Sequence, residues 1–253
     1  MEWGMTRNGG DAASARRAGP PGLRLAAGGA EPPASHGARP KGQHPPPDQG
    51  QAILEAAKQV GALLKRKGHP FALAGSVAAY AHGGNANLRH DADFCVRRED
   101  AEAVADTLRE GGLPVYTPPE DWLIKSKCFD QDIDIIFELA HEPVSLEMLA
   151  RAEELPVDSV RMPVLAPDDL LCGLIAAFSE HHCDFGAVLP IARALREKVD
   201  WEHVRRVCGD EPMPAAFFFL LERLNVIALQ QDTRPNQRQD ARRERNEPRE
   251  EQP

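Results

Sequence analysis

Apolar positions fall into two kinds of rhythm along this chain, and the change between them sets the expected architecture. From 51 to 67, Ile53, Ala57, Val60 and Leu64 share one helical face, and Gly68 follows as a stop. FALAGS is a short apolar strand ending in Gly75-Ser76, and VAAYAHGG is a brief helix closed by Gly83-Gly84. HDADFCV alternates with a period of two and predicts a strand. REDAEAVADTLREGG predicts an amphipathic helix, with acids in its first turn and a glycine stop. WLIKSKCF and DIDIIFEL predict two strands, and the short link between them a hairpin. SLEMLARAEEL reads as a short helix. VRMPVLAP reads as an edge strand, because Pro163 cannot donate to a ladder.

After Pro167 the rhythm becomes helical throughout. PDDLLCGLIAAFSEHH opens with proline and two acids, and DFGAVLPIARALREK, DWEHVRRVCG and MPAAFFFLLERLNVIAL follow. A mixed half followed by a helical half predicts an α+β fold: a small mixed sheet flanked by helices, then a C-terminal helical domain. The expected boundaries are a disordered extension over 1–50, an α/β domain over 51–165, a helical domain over 166–230 and a disordered charged tail over 231–253. The first segment is rich in Gly, Pro, Ala and Arg and carries no continuous apolar stretch of the signal-peptide kind. The tail, from about Gln231, mixes both charges and has almost no apolar residues.

Charge and cysteine content narrow the partners. Residues 51–230 hold 18 Lys+Arg against 29 Asp+Glu, a net of −11. An acidic body argues against a broad surface for duplex DNA. No apolar run approaches the length of a membrane span. The five cysteines, Cys95, Cys128, Cys172, Cys183 and Cys208, form no C-x-x-C pair and read as reduced core thiols of a cytoplasmic protein.

The candidate chemistry lies in the alternation itself. In a strand, Asp91 and Asp93 point one way while Ala92, Phe94 and Val96 point into the core. In DIDIIFEL, Asp132 and Asp134 share the face opposite Ile133, Ile135 and Phe137. Neighbouring strands lie about 4.8 Å apart, so carboxylates from both could converge. Converging carboxylates repel in a partly dry site, and oxygen-preferring Mg²⁺ or Mn²⁺ would relieve that repulsion. Gly75-Ser76, between a strand and a helix, offers close backbone approach and a hydroxyl for an anion.

In this order, L-A-G-S, D-x-D on a strand and a later I-D-I-I resemble the nucleotidyltransferase superfamily related to DNA polymerase beta. The resemblance covers about Ala52 to Ile227, and the helical half is similar to that of small bacterial members. It implies that Gly75 and Ser76 hold the phosphates of an NTP. Asp91 and Asp93 would be metal ligands, and Asp134 the third carboxylate, with Asp132 as the fallback. All three acids would be both catalytic and metal-binding. The implied reaction moves an NMP from the NTP to an acceptor hydroxyl on a small molecule, a protein side chain or an RNA end. The chain departs from the pattern at Arg89, where many members have Thr or Ser, and at Cys172-Gly173, where many small members have Lys. Those departures motivate a second reading: the fold without the chemistry, as a binding or regulatory module such as half of a toxin–antitoxin pair.

Other residues read more plainly. Arg89 pairs with nearby acids and His90 belongs to a loop, while Lys125 and Lys127 form a solvated strand face. His181 and His182 complement a helix C-terminus, because contiguous residues fan outward and do not converge on a metal. Trp201 and Phe217-Phe218-Phe219 pack helices.

Overall fold

A computed structural model describes residues 49–84, 88 and 91–228; the expectations for 1–48, Arg89, His90 and 229–253 lie outside the described residues. The first half contains α1 (Gln49–Lys67), β1 (Ala72–Ala74), α2 (Gly75–Ala81), β2 (Asp91–Cys95) and α3 (Ala101–Glu110). After them come β3 (Val115–Tyr116), β4 (Leu123–Cys128), β5 (Gln131–Ile136), β6 (Glu138–Leu139) and β7 (Glu142–Pro143). Next are α4 (Leu146–Ala150), β8 (Glu153–Val157) and β9 (Val160–Val164). Only helices follow: α5 (Pro167–Ala176), α6 (Phe185–Leu195), α7 (Trp201–Cys208) and α8 (Pro212–Arg223). The α+β class expected from the sequence is observed.

One mixed sheet of seven strands, ordered β3-β4-β5-β2-β1-β9-β8, organises the first half. β2 runs parallel to β5, and β1 parallel to β9; the other neighbours are antiparallel. The alternation decides what each face does. Ala92, Phe94, Ile133 and Ile135 are fully buried. α1 comes so close to this inner face that a Cβ on Gly61 would stand 2.8 Å from Sδ of Met162 and 3.9 Å from the Phe94 ring. The opposite face carries the acids of β2 and β5. One continuous core joins the strands to the helical half, where Phe178, Phe185 and Phe217 stack with ring centroids 4.9–5.1 Å apart.

Several sequence expectations need correction. The strand in FALAGS stops at Ala74, and Gly75 and Ser76 already open α2. The helix expected over SLEMLARAEEL ends at Ala150, and Glu153–Val157 forms β8. Pro156 is barred from a helix interior and has no donor for a neighbour, so an edge strand suits it. β8 is therefore the edge, and β9 lies inside the sheet, pairing with β1 at Leu73 and Val164, just past Pro163. Finally, α5 ends at Ala176, six residues before His182. The polar run SEHHCD has no apolar face to bury. It folds instead into a turn in which the His182 amide donates to the Ser179 carbonyl and hydroxyl. His181 and His182 are thus exposed in a connection and do not complement a helix end. Of the cysteines, four are buried and Cys183 is exposed. Phe217 and Phe218 pack helices as expected, but Phe219 is 63% exposed.

Candidate active site

The site forms where three features of local folding coincide. β1 gives way to α2 at Gly75, which takes φ +60°, a left-handed conformation that residues with a Cβ adopt at a cost. Its backbone lies against the first acid strand: a Cβ added at Gly75 would stand 1.9 Å from Oδ2 of Asp93. Ser76 follows and is buried at the start of α2. Asp93 is the register partner of Ala74 on one side and of Asp134 on the other.

The parallel pairing of β2 with β5 sets Asp91 opposite Asp132 and Asp93 opposite Asp134. Four acids therefore share one face, yet only three converge. Asp91, Asp93 and Asp134 each offer a carboxylate oxygen within 4.8 Å of the other two. Asp93 and Asp134 are buried, at 4% and 8% exposure. Asp132 is exposed and ion-paired with Lys127 at 2.8 Å, so the fallback acid stands outside the group. β5 lies directly beside β2, so its acids stand next to the first acid pair.

Electrostatics follow from this crowding. Burial pushes the Asp91 carboxyl up to about 7, and the charge of Asp134 adds to the shift while Lys125 opposes it. Asp93 is held well above the ordinary carboxylate range, first by burial and then by the charges of Asp91 and Asp134. Three crowded carboxylates suit a hard divalent cation, whose charge would offset their mutual repulsion. By that criterion the residues present fit Mg²⁺ or Mn²⁺.

Lys125 lies on a partly solvated strand face, as expected, but sequence reasoning missed its partner: its Nζ donates to both Asp134 oxygens at 2.8 Å. A signal was present in the sequence. K-S-K and D-I-D stand at equal distances from Phe129-Asp130, and both of those residues have positive φ, as a tight hairpin turn requires. That symmetry sets Lys125 opposite Asp134 and Lys127 opposite Asp132. The departure at Cys172-Gly173 also gains a physical reason. Both residues are buried, and a Cβ on Gly173 would stand 2.5 Å from Cδ1 of Leu139. A lysine there would meet the β6–β7 hairpin.

The class follows from comparison with known families. A family model described as uncharacterised nucleotidyltransferase matches residues 48–222. The chain belongs to this family of nucleotidyltransferases. Among solved structures it is similar to the antibiotic-resistance factor ANT(2'')-Ia in solution, at 12% identity, over 69% of this chain and 96% of that one, with a TM-score of 0.49. It is similar also to ANT(2'')-Ia in complex with adenylyl-2''-tobramycin, at 15% identity, over 66% and 97%, with a TM-score of 0.47. A third is the lincomycin-bound lincosamide antibiotic adenylyltransferase LnuA, at 11% identity, over 58% and 92%, with a TM-score of 0.39. A comparison with curated proteins gives no match.

Proposed function

We propose that the protein is a metal-dependent nucleotidyltransferase that moves an NMP from an NTP to an acceptor hydroxyl. One observation carries this reading: Asp91, Asp93 and Asp134 meet within 4.8 Å beside Gly75, in a chain of the nucleotidyltransferase family. In it, Asp91 and Asp93 hold Mg²⁺ or Mn²⁺, with Asp134 completing the acidic group. A bound divalent cation supplies charge neutralisation at the phosphates and the leaving pyrophosphate.

The chain's own residues do the rest. Gly75 and Ser76 hold a phosphate of the NTP, the Ser76 hydroxyl donating to it, while the missing Cβ at Gly75 lets the Asp93 carboxylate stand against the same turn. Asp134 accepts the proton of the acceptor hydroxyl as its oxygen attacks the α-phosphorus. The new O–P bond forms, the bond from that phosphorus to the bridging oxygen breaks, and pyrophosphate leaves. The acceptor class is a small molecule, a protein side chain or an RNA end; the net charge of −11 over 51–230 favours a cationic small molecule through steering. The odd set of five cysteines without a C-x-x-C pair supports work in the cytoplasm.

The test is incubation with α-labelled NTPs, Mg²⁺ and a cell extract, with identification of whatever becomes labelled. Label appearing with the wild type and absent with Asp91→Ala supports the reading. No label from any NTP overturns it and favours the binding-module alternative.

A further inference from the structure

The outer face of α8 is apolar, where a surface helix ordinarily carries polar and charged residues. Helical periodicity divides its residues between two sides. Pro214, Phe217, Phe218 and Leu221 are buried against the rest of the helical half. Pro212, Ala215, Ala216 and Phe219 lie on the other side and are exposed. Phe219 is 63% exposed, the highest value of any large apolar side chain among the described residues. Charges bound this face at its two ends: Glu211 is the N-cap and Arg223 the last helical residue. The Glu211 side chain does not cap the helix. Both residues are exposed, and among the described residues neither side chain forms an ion pair.

Size and charge along this face fit a second copy of the chain running the other way. Consider a two-fold axis through the middle of the helix, level with residue 217, that sets two copies of α8 antiparallel. Glu211 of each copy is then level with Arg223 of the other, and Ala215 of each with Phe219 of the other. Each Phe219 ring lies over the small side chains of Ala215 and Ala216 on the facing helix, which let the two helices approach closely. Both charge pairs form at once, because Glu211 and Arg223 stand equally far from the centre, about 9 Å along the axis at 1.5 Å per residue. A parallel pairing in register would instead set Glu211 on Glu211 and Arg223 on Arg223. Use of the same patch by both partners is the isologous contact of a two-fold dimer.

We propose that α8 is the interface of a homodimer. Phe219 of each chain packs on Ala215 and Ala216 of its partner, and Glu211 of each pairs with Arg223 of the other. One pair of helices of this length buries less than the roughly 1,600 Å² of a standard interface, so the dimer is weak, with a Kd on the order of 10 µM.

The test is sedimentation equilibrium of the full chain from about 1 to about 100 µM. The wild type should pass from monomer toward dimer mass across that range. Phe219→Glu should weaken self-association by roughly tenfold or more. Glu211→Arg and Arg223→Glu should each weaken it by roughly fivefold or more, because like charges then face each other. Mixed in equal amounts, those two single variants should associate again, since a mixed dimer has opposite charges at both ends. That recovery cannot arise from a folding defect in either chain. A wild type that stays monomeric at the top of the range overturns the proposal, whether or not residues 1–48 or 229–253 of the same chain cover α8. A dimer that survives Phe219→Glu unchanged overturns it too, because the contact then lies elsewhere. So does a mixture that associates no better than its components, because the register is then wrong.

Discussion

Gly75 combines two constraints at a single residue, a φ of +60° and contact with the Asp93 carboxylate. Gly75→Ala should therefore cost about 1–3 kcal/mol of stability in urea unfolding, and should weaken divalent-ion binding because Asp93 must turn away. A variant as stable as wild type, with unchanged ion binding, would contradict the contact. The acids themselves act against folding when no ion is bound. Burial and Asp134 raise the folded-state pKa of Asp91 to about 7. The unfavourable contribution is absent below the unfolded value of about 3.9, grows between about pH 4 and 7, and is complete above that. Metal-free Asp91→Asn should accordingly be more stable than wild type at pH 8, by on the order of 1–3 kcal/mol, with the difference fading toward pH 4. Thermal melts in chelator across pH check this, and a variant less stable at pH 8 refutes it. These acids were legible in the sequence because a period of two makes D-x-D and I-D-I-I point from one face. Lys125 was harder to read, since its partner lies on the next strand and only the hairpin register unites them.

Elements with a strong local signal were read well, and those decided by tertiary pairing were not. α1, α3 and the β4–β5 hairpin follow directly from periodicity and stop residues. β8 did not, because EELPV carries a weak pattern of its own and becomes a strand by pairing with β9 from Glu153 to Val157. The short β3, β6 and β7 strands, two residues each, also lie below what periodicity can register. Caps show the same division. Asp200 opens α7 by accepting from the amides of Glu202 and His203 at 3.1 and 3.0 Å. Removing it in Asp200→Ala should cost about 1 kcal/mol in chemical denaturation, with divalent-ion affinity unchanged, since α7 lies apart from the acidic face. A loss of ion affinity in that variant would show that the helix supports the site.

At the scale of the whole molecule, the sheet is built so that one face is packed and the other is left for chemistry. The inner face is closed by α1 and the other carries the acids and their lysines, an arrangement that a one-residue slip in β2 or β5 would reverse. The helical half is tied to the strands through one core, with Leu139 seated on Gly173 where any side chain would collide. Among the described residues no helix is long and apolar enough to cross a membrane. The account depends most on the acids acting together on an ion and a nucleotide. Calorimetric titration of the four NTPs, with and without Mg²⁺, tests this most directly. At least one NTP should give heat only when Mg²⁺ is present, and Asp91→Ala and Asp93→Ala should each weaken that binding tenfold or more. No heat with any NTP, or binding that survives Asp91→Ala unchanged, would contradict it.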